Sequence, residues 1–295
     1  MLNERLAPST LSGRFAPSPT GPLHMGGLVT ALASFCDIKQ RDGSWFVRLD
    51  DIDPPRFDQA GLDHIIQALH VHGLRGDGPM RKQSENTDRY RSAREALTKM
   101  GYYCDCSRRQ LANQLIYPGH CRDKRRPARN HAMRLFVDEK SRQFRDEISG
   151  LHSFVPARDF GDFIVWRKDD LVTYHLSTAC DDGQDYSHVL RGEDLFVTTG
   201  PQLLLMERLG LSPPSYAHIP VLTFPDGTKL SKQTHAPALD NSMPEKNLQR
   251  ALYFLGQNPP IEDLTVSQWI DWAVSNWQIK TVPATLPTYA NPFET

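Results

Sequence analysis

One stretch limits the folds open to this chain more than any other: RFAPSPTGPLHMGG, residues 14–27. Pro17, Pro19 and Pro22 fix three backbone angles and remove three N–H donors, so the segment cannot be helix interior or central strand. His24 and the pair Gly26–Gly27 follow. An apolar periodicity then begins, with Leu28, Leu32, Phe35 and Ile38 near helical spacing. If FAP ends a strand, the stretch is a strand-to-helix turn. Open α/β sheets bind ligands at such turns, at the C-terminal ends of strands. Glycine at a helix start lets a polyanion approach backbone N–H groups, and an imidazole can donate to a phosphate. Taken alone, the stretch fits an ordinary turn equally well.

Downstream, SWFVRLDDID reads as a short strand with an acidic end, and DQAGLDHIIQALHVHGL and DRYRSAREALTKMGY as amphipathic helices. Strand, helix, strand, helix predicts a parallel α/β sheet. From Cys104 to about Arg158 the chain is irregular, basic and polar, which reads as an insertion. The α/β pattern resumes with DFIVWRK, TYHLSTACDD and HVLRGEDL. HIPVLTF reads as one more strand, and the loop PDGTKLSKQTHAPAL follows. After Met243, EKNLQRALYFLG and SQWIDWAVSNW read as helices, with Trp269, Ile270, Ala273 and Trp277 expected in the core. The expected division is 1–103 and 159–240 for two halves of one catalytic domain, 104–158 for the insertion and 241–295 for a helical C-terminal subdomain.

Among 295 residues, 34 are basic and 35 acidic, so bulk charge does not mark a nucleic-acid binder. Locally, CRDKRRPAR (residues 121–129) is strongly basic: a solvated loop or a phosphate-contacting patch. No apolar run approaches the roughly 18 residues of a membrane span, and the start MLNERLAPSTLSGR has no apolar core of a secretory signal. A cytoplasmic protein is expected. Five cysteines in a chain this long do not predict a disulfide framework. Cys104, Cys106 and Cys121 lie close together, with Tyr117 and His120 nearby: a tetrahedral zinc site, or a redox or accidental cluster. General chemistry favours His120 as the fourth ligand, although it adjoins Cys121 and would chelate awkwardly. TKLSKQ, residues 228–233, offers two lysines that could close on a phosphate, or a plain exposed loop.

The two segments together carry a resemblance. His24-Met25-Gly26-Gly27 and Lys229-Leu230-Ser231-Lys232, about 200 residues apart, resemble the two signature motifs of class I aminoacyl-tRNA synthetases. RFAPSPTGPLHMGGLVTAL and VRLDDIDPPR resemble the glutamyl branch of that class. KLSKQTHAPAL and the CxC…YPGHC segment are similar to glutamyl-queuosine tRNA(Asp) synthetases. The chain stops at Thr295, where a full glutamyl-tRNA synthetase continues into an anticodon-binding region, so a shortened relative without that region is expected.

The resemblance implies a Rossmann-like catalytic core with a zinc-containing insertion, and a ligase that makes glutamyl-adenylate from L-glutamate and ATP with Mg2+. His24 and Lys232 would be catalytic, with Gly26, Gly27, Lys229 and Ser231 also at ATP. Arg14, Phe15, Ala16, Pro17 and Ser18 would bind glutamate, Arg14 gripping its side-chain carboxylate through a planar fork. Asp50 would meet the α-amino group, with Tyr174 and Arg191 lining the same pocket. The family has Glu where Asp50 stands, a reach shorter by about 1.5 Å, and the segment from Tyr174 to Arg191 is one residue shorter than usual. Zinc would be held by Cys104, Cys106, Tyr117 and Cys121. The acceptor would be the cyclopentene-diol of queuosine in the anticodon arm of tRNA(Asp), with CRDKRRPAR and Arg108–Arg109 on its backbone, and a monomer would suffice. The competing functions are an ordinary glutamyl-tRNA synthetase charging a 3′ end and a catalytically silent RNA-binding paralogue.

Overall fold

The opening stretch is a strand-to-helix turn. The computed structural model describes residues 11–112, 114–224, 226–228, 230 and 236–283; Lys229, Ser231 and Lys232 lie outside the described residues. Strand β1 (Ser12–Phe15) leads through the proline segment into helix α1 (Met25–Lys39). There follow β2 (Ser44–Leu49), α2 (Gln59–Val71), β3 (Arg81–Lys82), α3 (Thr87–Leu97) and β4 (Gly101–Cys104). Next come β5 (Ala132–Leu135), β6 (Arg142–Asp146), β7 (Gly150–Phe154), α4 (Pro156–Asp159), β8 (Ile164–Trp166) and α5 (Tyr174–Asp185). The chain continues through β9 (His188–Gly192), α6 (Phe196–Leu209), β10 (Ser215–Ile219), α7 (Pro244–Phe254) and α8 (Val266–Asn276).

β1, β2 and β3 form a parallel sheet in that order. A second sheet runs β7-β6-β10-β9, parallel from β6 to β9 and closed by the antiparallel β6–β7 hairpin. β1 lies beside β9: Ser187 N donates to Ser12 O at 3.0 Å, and Ser12 N to Ser187 Oγ at 2.9 Å. The seam between β1 and β9 is where the strand order reverses, the place where open α/β sheets leave a crevice. A third, antiparallel sheet, β4-β5-β8, lies apart from these two.

α1 is buried almost all round, as a helix hydrophobic on every face must be. It packs on β1, β2 and β9 on one side and on α7 and α8 on the other. Trp269, Ala273 and Trp277 are buried there with Ile270 against them, the packing expected from the sequence. Thr265 and Gln268 cap α8 reciprocally. Among the described residues no helix is long and apolar enough to cross a membrane.

Two expectations change. The last strand ends at Ile219 rather than running through HIPVLTF, because Pro220 has no N–H to give the ladder. The stretch from Cys104 to Arg158 is not irregular throughout: it holds β5, β6 and β7. They are four or five residues long, and in RQFRD the charged Arg142 and Asp146 share the inward face with Phe144, which hides the alternation. β6 pairs with β10, so Asp146 belongs to the same sheet as β9.

One close approach fixes the turn. A Cβ on Gly61 of α2 would lie 2.5 Å from the backbone of Gly21. Gly61→Ala is therefore expected to cost about 1–3 kcal/mol through overpacking, read as a lower urea midpoint at unchanged slope; a wild-type midpoint would show that the turn yields freely.

Candidate active site

A cavity of about 510 Å³ opens where β1 and β9 end. Arg14, Phe15, Ala16, Pro17 and Ser18 line it together with His24, Gly26 and Gly27, and Tyr174 and Arg191 close it from the other half. The turn that builds its wall is tied down by its carbonyls, since prolines have no N–H to offer. Asp50 N donates to Pro17 O at 3.0 Å and Asp58 N to Pro19 O at 2.8 Å. His64 bridges: its Nδ1 accepts from Leu23 N at 3.2 Å, so its Nε2 carries the proton given to Leu239 O at 3.1 Å.

At one end Arg14 is buried in a compensated network. Its Nε and Nη2 donate to the two carboxylate oxygens of Asp182 at 3.0 and 2.9 Å. Arg48 Nη1 donates to the same carboxylate at 2.7 Å, and Arg48 Nε donates to Asp50 at 2.7 Å. Burial alone would raise Asp182, but the Arg14 and Arg48 guanidinia hold it below the usual carboxylate range. Neighbouring Asp181 is raised by burial and takes bonds from Gln83, Arg89 and Tyr90. Two buried acids side by side are thus each satisfied by their own donors, as buried charge requires. Arg14 itself lines the cavity, where its guanidinium suits a carboxylate.

Arg191 faces the same cavity from β9. Its Nε donates to His218 Nε2 at 3.0 Å, Nη1 to Gln202 at 2.8 Å and Nη2 to Thr199 at 2.8 Å. At the other end His24 is the N-cap of α1, its Nδ1 accepting from Gly27 N at 3.3 Å. That bond puts the ring proton on Nε2, a donor for an anion at the helix N-terminus. A Cβ on Gly27 would collide with the Leu23 side chain at 2.5 Å, and one on Gly26 would press on the His24 ring at 3.2 Å. Glycine here serves internal packing as well as room for a ligand.

Asp50 is not on this cavity. It lines a second one, of about 560 Å³, that shares Ser18, Thr20 and Tyr174 with the first. Arg56, Arg134, Arg167 and His175 lie along it. Burial, and then the charge of Arg191, pull His175 down to about 4, so its ring is neutral at neutral pH.

The cysteine cluster adjoins the second cavity through Tyr117. Cys104, Cys106 and Cys121 bring their sulfurs within 4.8 Å of one another. Cys106 and Cys121 sulfurs are 3.6 Å apart, and Tyr117 Oη is 3.5 Å from those of Cys104 and Cys106. A tetrahedral zinc ion would set such edges at about 3.8 Å for S···S and about 3.5 Å for S···O, so the donor set fits zinc. His120 is exposed and outside the group. Burial would raise the Cys104 thiol, but the Tyr117 hydroxyl and Arg134 bring it down to about 7.

Residues 10–250 match the family model described as tRNA synthetases class I (E and Q), catalytic domain. A protein of Methylococcus capsulatus named "Glutamyl-Q tRNA(Asp) synthetase" is 43% identical over 96% of this chain and 96% of its own length. One of the same name from Chromobacterium violaceum is 41% identical over 92% of this chain and 95% of its own. The chain belongs to the glutamyl-Q tRNA(Asp) synthetase family. It is thus a class I aminoacyl-tRNA synthetase-like ligase. A solved glutamate tRNA ligase from Elizabethkingia meningosepticum, in complex with its amino acid, shares the fold at TM-score 0.80 and 23% identity, over 96% of this chain and 67% of its own.

Sequence reasoning about this family missed Asp182, Arg48, His218 and Asp146. The signal for Asp182 was present: adjacent acids in the apolar helix LSTACDDG need buried partners. Arg48, inside the apolar strand WFVRL, is that partner. His218 and Asp146 carry no comparable signal, because their meeting depends on which strands pair.

Proposed function

We infer that this chain joins L-glutamate to ATP as glutamyl-adenylate and passes the glutamyl group to the queuosine of tRNA(Asp), in its anticodon arm. The observation that carries the reading is one cavity with two guanidinium groups at one end and a histidine-capped helix N-terminus at the other. The names of the relatives point the same way.

In the first step a glutamate α-carboxylate oxygen attacks the α-phosphorus of ATP, and the bond to pyrophosphate breaks. The nucleophile is already charged, so the chain's task is positioning and charge stabilisation. Arg14 and Arg191 would hold the amino acid, with Tyr174 between the cavities. His24 would donate to the phosphates, with Gly26 and Gly27 beside them. Lys229, Ser231 and Lys232 are proposed to reach the same phosphates, and Mg2+ would arrive with ATP. Asp50, gripped by Arg48 on the second cavity, would reach the α-amino group across the shared wall at Ser18.

In the second step a diol hydroxyl attacks the glutamyl carbonyl, AMP leaves and the hydroxyl proton passes to water. The second cavity gives a splayed-out nucleoside an approach to the first. Exposed Lys124, Arg125, Arg129, Arg108 and Arg109 are candidates for its phosphates, whereas Arg122 is bound to Asp162 and Arg126 to Asp105. A monomer acting in the cytoplasm belongs to the same proposal.

Labelled glutamate and ATP are supplied with tRNA(Asp) that carries or lacks queuosine, and the label is mapped by nuclease digestion. Label in the queuosine-bearing anticodon fragment is expected. Label at the 3′ terminus would support ordinary charging instead, and absence of glutamyl-adenylate a silent paralogue.

Zinc held by Cys104, Cys106, Tyr117 and Cys121 would be structural, since four protein ligands leave no open position. Zinc content is expected to drop in Tyr117→Phe and to stay at one per chain in His120→Ala; the reverse would exchange the fourth ligand.

A further inference from the structure

Resting on the reading that Arg191 meets the glutamate, we propose that Asp146 and His218 are positioning residues, which fix the Arg191 guanidinium by deciding which ring nitrogen of His218 carries the proton. Three adjacent strands set the row. His218 on β10 is the register partner of Arg191 on β9, and Asp146 stands at the end of β6 on the other side. All three are buried. Asp146 Oδ2 lies 2.7 Å from His218 Nδ1, and Arg191 Nε lies 3.0 Å from His218 Nε2.

The protons are determined from both ends. A guanidinium nitrogen can only donate, so Nε2 must be bare and Nδ1 must carry the hydrogen that the carboxylate accepts. Thr199 Oγ1, which accepts from Arg191 Nη2, has its own proton to give Nε2 at 3.2 Å. Arg191 thereby spends three N–H groups on the protein in one fixed plane. That plane fixes where its remaining donors lie relative to the cavity Arg191 lines.

Asp146 has the geometry to enforce this. Its Oδ1 accepts from Ile148 N at 3.0 Å, Ser149 N at 2.9 Å and Ser149 Oγ at 3.1 Å. In Asp146→Asn those donors hold the amide oxygen in the Oδ1 place and leave the NH2 group facing His218 Nδ1. Nδ1 must then accept, the proton moves to Nε2, and it points at the N–H of Arg191. The fold loses no backbone partner, but the guanidinium is pushed from its plane; an Asp→Asn change beside a histidine reverses the imidazole tautomer in other sites too.

The test uses the full chain and glutamate-dependent exchange of pyrophosphate into ATP. Asp146→Asn is expected to raise the KM for glutamate roughly 10–100-fold, the worth of a charge-assisted hydrogen bond, with the KM for ATP and the melting temperature close to wild type. The 15N signals of His218, assigned by their loss in His218→Gln, are expected to show a bare Nε2 in the wild type and a protonated one in Asp146→Asn. Arg191→Met separates this inference from the reading beneath it. A raised glutamate KM in Arg191→Met with an unchanged one in Asp146→Asn overturns the positioning role alone. An unchanged KM in Arg191→Met overturns the glutamate role of Arg191 and the inference with it. An unaltered tautomer in Asp146→Asn overturns the proton argument.

Discussion

Asp182→Ala is expected to destabilise the fold by about 3–5 kcal/mol, the cost of stripping a partner from buried charge. Arg14 and Arg48 both bond this carboxylate, and the Arg14 side-chain bonds to described residues go to it. Arg48 keeps Asp50; Arg14 is left buried with an uncompensated charge. Asp182→Asn keeps the shape but loses the charge, and acid titration then isolates the electrostatic part. The folded carboxylate lies below its ordinary value, so its contribution is complete above about pH 4 and fades as pH falls through the lower folded value. The stability gap between wild type and Asp182→Asn should narrow below about pH 4. A gap independent of pH would mean that the carboxylate titrates in the fold as it does in the unfolded chain, and a gap that widens on acidification that it is protonated in the fold. Denaturant midpoints from pH 2 to 7 read the difference.

His24→Ala is expected to lower kcat for adenylate formation about 10²–10³-fold, the usual loss when one preorganised donor to developing charge is removed. The ring has a second role, since it caps α1 through Gly27 N, and losing a cap costs about 1 kcal/mol. His24→Asn separates the two: asparagine caps well, so stability should return while most of the rate does not. A wild-type kcat in His24→Ala would remove the imidazole from the phosphates.

Elements with a long apolar period were legible in the sequence, as with α1 and the Trp269 face of α8, because burial writes that period directly. The turn from Arg14 to Gly27 was legible too, since prolines and glycines restrict the backbone locally. The β6–β7 hairpin was not, because Arg142 and Asp146 put charge on the inward face beside Phe144, Leu151 puts an apolar residue on the outward one, and the partner β10 lies far along the chain. The site divides the same way. Arg14, His24 and Arg191 lie in recognisable segments and do line one cavity. The groups that hold them, Asp182 for Arg14 and His218 for Arg191, come from other segments brought together by strand order. Asp50 shows the limit: its segment was legible, but its carboxylate turns to Arg48 on the neighbouring cavity.

The proposed function requires one cavity to hold the amino acid at its arginine end and the nucleotide at its histidine end. A crystal structure with a non-hydrolysable glutamyl-adenylate analogue tests it most directly. The glutamyl side-chain carboxylate is expected within hydrogen-bond distance of Arg14 or Arg191, and the phosphate mimic at His24 and the start of α1. A glutamyl group seated instead in the second cavity, against Arg56 or Arg167, would contradict it.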